Sequence, residues 1–124
     1  MSDMDKKKKS MILSELEKLG GAHPDSFAGQ EDEYYEKIRA FLEGQDFLKL
    51  GYAIDGRRFE LALMHVGKMK KKTEELKISC FDNYLKGIRG SLVKRSRSES
   101  LQIMTKITAK RVQLRNILGK GEYL

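Results

Sequence analysis

The sequence predicts an all-α fold, an antiparallel four-helix bundle with one or two short additional helices at its N-terminal end. Three observations predict it. Apolar residues recur at steps of three and four along most of the chain. No segment alternates with period two for long enough to argue a strand. The one proline, Pro24, sits near the start, so no proline breaks a helix from Asp25 onward.

Each element has its own local signal. Met11, Ile12, Leu16 and Leu19 mark a first helix from about Lys7 to Leu19, and Gly20-Gly21 stops it. His23-Pro24-Asp25-Ser26 reads as a loop. Glu31, Asp32 and Glu33 open a second helix, where carboxylates suit the positive end of the helix dipole. Tyr34, Tyr35, Ile38, Phe41 and Leu42 form its apolar seam, and Gly44 ends it. A short third helix spans about Asp46 to Ile54, and Asp55 is placed to cap the next helix.

The fourth helix is expected from about Arg57 to Leu76, with Phe59, Ala62, Val66, Met69, Thr73 and Leu76 as its seam. Gly67 inside it costs up to about 1 kcal/mol relative to alanine. Lys77 to Ser79 make a bend. A fifth helix runs from about Cys80 to Lys94. Ser96 and Glu99 then form a capping box for a sixth helix from about Arg97 to Leu118. Its stripe is Leu101, Met104, Ile107, Thr108, Arg111, Leu114 and Ile117 or Leu118, and Gly119 and Gly121 end it. The four longer helices are expected to make the bundle, with the first and third as shorter covering pieces.

Composition narrows the class. At 124 residues the chain suits one domain with one core. Residues 1–10 read as a basic N-terminal tail and residues 11–124 as one helical domain. No run approaches the roughly 20 apolar residues that span a membrane, and the N-terminus lacks the apolar core of a signal peptide. The expectation is a cytoplasmic protein without membrane insertion. Cys80, the single cysteine, cannot form an intrachain disulfide and fits a reducing compartment. The net charge of +7 favours an anionic partner without choosing its kind. His23, His65 and Cys80 do not make a metal-ligand spacing. No glycine-rich phosphate loop is present.

One residue carries the chemistry. His65 lies off the seam of the fourth helix, on a neighbouring face with Leu61, Lys68 and Lys72. A neutral imidazole is a nucleophile, and nearby ammonium groups stabilise an anionic phosphoryl group placed on it. Ala62-Leu63-Met64-His65 followed by Lys68 matches an Ala-x-x-His-x-x-Lys spacing. The stretch from Phe27 to Leu42 shows a glycine-acidic turn before a Tyr-and-Leu helix, and Phe47 to Phe59 a short helix and a Gly/Asp turn. In this order the chain resembles a histidine phosphotransfer (HPt) domain over nearly all of its length after residue 12.

The resemblance implies a four-helix bundle that works in a two-component phosphorelay. His65 would accept a phosphoryl group from a receiver-domain aspartate and pass it to another receiver. Lys68 would steady the phosphoryl oxygens, with Lys72 and Arg58 as helpers. The partners implied are receiver domains and hybrid histidine kinases. No cofactor is expected on this chain, and Mg2+ is expected on the partner receiver. Three departures stand out. Gly67 occupies a position where the family usually has Leu, and Met69 one where it usually has a small residue. The link from Lys70 to Ser79 is about two residues longer than the family pattern. A long Met69 side chain one turn from His65 is expected to crowd the docking face, so Gly67 and Met69 join the candidate binding positions.

Two alternatives remain open at this level. One is an HPt-like adaptor that is not phosphorylated, supported by Met69. The other is a basic helical nucleic-acid-binding module. Its support is the Lys68 to Lys72 cluster, Lys94-Arg95-Ser96-Arg97, and Lys106, Lys110, Arg111 and Arg115.

Overall fold

Helical periodicity is realised as six α-helices and one 3-10 turn in a computed structural model that describes residues 6–123. They are α1 (Lys6–Gly20), the 3-10 turn (Pro24–Phe27), α2 (Glu31–Glu43), α3 (Asp46–Asp55), α4 (Phe59–Leu76), α5 (Asp82–Val93) and α6 (Arg97–Tyr123). Among the described residues there is no strand. The fold is all-α, as the spacing predicts. α6 packs against α1, α2, α3 and α5, while α4 packs against α2, α3 and α5.

α1 departs from its expected minor role. It has 15 residues, against 13 for α2 and 12 for α5. Ile12, Leu13 and Leu16 bury its inner face, and a Cβ on Gly20 would meet Leu114 of α6 at 3.3 Å. Lys7 to Ser10, expected within a tail, form part of its opening turns. Lys9 is held there by Asp32 at 2.9 Å and by the Tyr35 ring, 5.7 Å from its ammonium. The first five residues of the expected tail lie outside the described residues. The helix stops where expected because Gly21 turns the chain at φ +67°, a conformation that L side chains rarely adopt.

One end of the molecule is tied by Tyr34. Its ring stacks on Phe27 with centroids 3.9 Å apart. Its hydroxyl accepts from the His23 N–H at 3.1 Å and donates to the Leu76 carbonyl at 2.7 Å. That carbonyl belongs to the last residue of α4, where helical partners run out. Beside it, the Cys80 N–H donates to the Gly20 carbonyl at 3.1 Å. Ile78, in the bend, is also buried.

A second tie comes from the last helix. Arg111 reaches across to α2, donating from Nε to the Leu42 carbonyl at 2.7 Å and from a terminal nitrogen to the Gly44 carbonyl at 3.1 Å. Its guanidinium lies 4.7 Å from the Phe47 ring centroid. A charged group on an apolar stripe is thereby explained, since it satisfies the C-terminal carbonyls of α2 while covering an aromatic face. Around it, Phe41, Phe47 and Phe81 contact one another with centroids 5.2 to 6.1 Å apart.

Several helix ends differ from expectation. The 3-10 turn replaces the predicted loop at Pro24, whose fixed φ suits a first helical position. Asp55 does not cap α4; it is the last residue of α3 and accepts from the Arg97 guanidinium. α5 begins at Asp82, after Phe81 has been buried as its N-cap. α6 starts as predicted, with the Glu99 N–H donating to Ser96 Oγ at 3.3 Å. It does not end at Gly119, which lies inside the helix with open space around its Cβ position. Gly87 permits close α5–α6 packing, since a Cβ there would meet Ile103 at 3.3 Å; Gly90 faces open space.

Tyr34→Phe is expected to lower unfolding free energy by about 1–3 kcal/mol, since it leaves the His23 N–H and the Leu76 carbonyl short of a partner. Chemical denaturation against the native chain measures this. Burial also holds the Tyr34 hydroxyl above its ordinary pKa of 10.0, with the His23 N–H pulling the other way and Glu17 adding to the rise. The native state thus favours the neutral phenol. Stability is untouched below pH 10 and falls as pH rises beyond it, and Tyr34→Phe flattens that alkaline fall. Arg111→Met retains the contact with Phe47 but strips two charge-assisted hydrogen bonds. It is expected to lose about 2–4 kcal/mol, read as an earlier urea midpoint at unchanged slope.

Candidate functional site

The position of His65 follows from how α4 begins and which face it buries. After α3 the chain turns through Gly56 and through Arg57, which takes a positive φ of 59°. The Arg58 N–H closes the turn on the Ala53 carbonyl at 2.8 Å. Arg58 is the residue before the helix, and its side chain is exposed. α4 then buries Ala62, Val66, Met69, Thr73 and Leu76. Five inward positions at steps of three and four leave no rotational freedom. His65 falls on the flank of the seam, half-buried, next to half-buried Leu61 and exposed Lys68.

That flank faces α3. Lys72, two turns beyond His65 on the same side, places its ammonium 2.7 Å from Asp46 at the start of α3. The pair fixes the two helices antiparallel. One turn in from Asp46 comes Lys49, level with Lys68, and Tyr52 follows, 72% exposed. Asp46, Lys49 and Tyr52 were not singled out from the sequence. Only the register between two helices brings Asp46 to Lys72, on the flank that carries His65.

The expected site residues therefore separate. His65 and Lys68 share a flank of α4, and neither makes a side-chain hydrogen bond or an ion pair among the described residues. Lys72 shares the flank but is engaged by Asp46. Arg58, the residue before the helix, precedes His65 by two turns. Gly67 is exposed with nothing near its Cβ position. Met69 is a correction: it is 1% exposed, a core side chain that cannot crowd any docking surface. Four residues from His65 on a helix is one turn along and about 40° round, and here that rotation carries it into the seam.

The wider basic set is reduced in the same way. Arg95 pairs with Glu60 at 3.2 Å and lies over the Phe59 ring. Arg97 is taken by Asp55. Lys110 donates to the Leu19 carbonyl at 3.1 Å, and Arg111 to α2 as described.

The chemistry available at His65 is that of an open surface. Two hollows among the described residues lie elsewhere. One, about 730 Å3, lies between α1 and the start of α2, lined by Lys9, Glu17, Asp25 and Glu31 among others. The other, about 240 Å3, lies beside His23, Lys77 and Asp82. Small-molecule sites are concave, and neither of these hollows adjoins His65. Among the described residues no group of three or more His, Cys, Asp or Glu is placed to hold a metal. Cys80, half-buried, has its thiol pushed up to about 12 by burial, so it is a weak nucleophile at neutral pH. No helix among the described residues is long and apolar enough to cross a membrane.

No family model, no curated protein and no solved structure matches this chain. The likeness to an HPt domain rests on its residues alone.

Because the Cβ position of Gly67 is open, Gly67→Ala is expected to stabilise the chain by up to about 1 kcal/mol. A higher thermal midpoint with unchanged helical circular dichroism is the expected result.

Proposed function

We propose that this chain is a histidine phosphotransfer protein of a two-component phosphorelay. In this reading α2, α4, α5 and α6 are the four helices of the HPt bundle, α1 adds to its core against α6, α3 covers it, and the protein works in the cytoplasm. The observation that carries the reading is His65 with Lys68 one turn later on a helix flank, outside both of the hollows described above. A substrate that docks there must bring its own reactive surface, as a phosphorylated receiver domain does.

The transfer is simple in atoms. Nε2 of neutral His65 attacks the phosphorus of the receiver's aspartyl phosphate, in line with the carboxylate oxygen that leaves. The N–P bond forms as the acyl P–O bond breaks, and its electron pair returns to the aspartate. The other ring nitrogen, Nδ1, keeps its proton. Lys68 offers an ammonium to the phosphoryl oxygens, and such charge-assisted hydrogen bonds strengthen as charge gathers on them. The receiver brings the Mg2+ that neutralises the group, so His65 asks for no metal ligand on this chain.

Met69 bears on the adaptor alternative. The main argument for lost phosphorylation was a long side chain in the docking face, and Met69 is in the core.

The test is phosphoryl uptake from receivers phosphorylated on aspartate, followed as an acid-labile, base-stable adduct by intact mass. The native chain is expected to gain one phosphoryl group and His65→Gln none. Lys68→Ala is expected to slow transfer about tenfold, the equivalent of one charge-assisted hydrogen bond of about 1.5 kcal/mol. Absence of uptake from receivers that phosphorylate a control HPt protein would overturn the reading in favour of an adaptor.

A further inference from the structure

Where the excess positive charge is left unneutralised is decided by packing. Lys9, Lys37, Lys72, Arg95 and Arg97 each have a carboxylate partner, and Lys110 and Arg111 are spent on backbone carbonyls. Among the described residues several exposed cations have neither, Lys68, Lys77 and Lys94 among them; Lys70 and Lys71 on α4 and Lys86 and Arg89 on α5 are four that two packed helices bring together. All four are exposed, and among the described residues none makes an ion pair or a side-chain hydrogen bond.

These four belong to one face. α4 and α5 pack together, joined at one end by the tight turn of residues 77–81. At the other end Arg95 clamps Glu60 and covers the Phe59 ring at 5.6 Å. The two helices are therefore antiparallel, and between these ends residues 67–71 of α4 come level with 86–90 of α5. Gly67 and Gly90 lie at this level, both exposed, with nothing within 4 Å of their Cβ positions. Neither glycine raises a side chain beside the cations. Glu74, Glu75 and Asp82 sit toward the 77–81 turn, so the middle of the face is the positive part.

We propose that this α4–α5 face binds the phosphate backbone of double-stranded nucleic acid without reading bases. Phosphates need only cations within reach, and no pocket. A protein partner calls for anchors such as aromatic side chains in a dry centre. The large apolar side chains exposed on these two helices are Met64 and Val93, and neither is aromatic. Single strands are held by stacking bases on aromatic rings, and the exposed aromatic of the described core helices, Tyr52, belongs to α3. The face runs from the outward crest of α4 to its α5 side, away from the flank that carries His65, so its role is separate from phosphoryl transfer.

The experiment is anisotropy of a labelled 20-base-pair DNA duplex of mixed sequence, titrated with the full chain at several salt concentrations. The native chain is expected to bind at 50 mM salt, with log K falling against log salt at a slope of about −4, for four phosphates neutralised. Charge reversal of the face (Lys70→Glu, Lys71→Glu, Lys86→Glu, Arg89→Glu) is expected to weaken binding on the order of 100-fold. Reversal of Lys7, Lys18, Lys106 and Arg115, at the same net charge, is expected to leave it within about threefold. If the reversed face loses the helical circular dichroism signal, the corresponding Gln variant is measured instead.

Equal loss in both variants, or no salt-dependent binding by the native chain, would overturn the proposal. So would polyglutamate of matched charge binding as tightly as the duplex, which would assign the face to an acidic protein. Tighter binding of single strands than of the duplex would overturn it as well. His65→Gln is expected to bind the duplex as the native chain does, which separates failure here from failure of the phosphotransfer reading.

Discussion

The hydroxyl of Tyr34 is the joint on which this arrangement depends. It meets a loop N–H on one side and the last carbonyl of α4 on the other, while its ring is stacked on the 3-10 turn. The 3-10 turn region, α2 and the distant end of α4 thereby share one buried polar group. Such a group is costly to leave unpaired and contributes modestly when paired, so its value is mainly directional. It sets where α4 ends relative to α2. A helix whose end and buried seam are both set has a determined rotation, and every surface residue on it inherits a position.

His65 is what that rotation presents. With Ala62, Val66, Met69, Thr73 and Leu76 inward, one flank of α4 turns to α3 and the other to α5. The α3 flank carries His65 and Lys68; the α5 flank carries Lys70, with Lys71 on the outward crest. A single helix thus offers a nucleophile to one side and bare cations to the other. Lys72 and Asp46 hold the first flank in register, while Arg95 and Glu60 hold the second. These are exposed pairs, worth little in stability, whose geometric effect is to keep two helix grooves aligned.

Much of the fold was legible in the residues. The seam of α2, Tyr34 to Leu42, is buried position by position as its spacing implies. The glycine pair after α1 and the Ser96 cap of α6 behave as local rules require. Where reading failed, the deciding partner lay far along the chain. Asp55 carried a good capping signal, but Arg97, distant in sequence, took its carboxylate. Arg111 was read both as a stripe residue and as a surface cation; carbonyls of α2 made it neither. Met69 was counted on the buried seam and also on the docking face, and packing chose the seam. Gly119 looked like a stop, yet no αL turn forms there and the helix continues.

Sequence alone therefore determined the helices, the inward faces of α2 and α4 and the placing of His65 beside Lys68, whereas Met11, Leu19 and Thr108, read as seam residues, are exposed. Those properties are local: a repeat of 3.6 residues and the chemistry of a few caps specify them within one or two turns. Tertiary structure decided which cations remain free, which flank of α4 meets α3, and that α1 shares the core with α6. Those properties depend on which carboxylate or carbonyl arrives from a distant segment. A lysine reads the same in sequence whether an aspartate meets it, as at Lys72, or none does, as at Lys70.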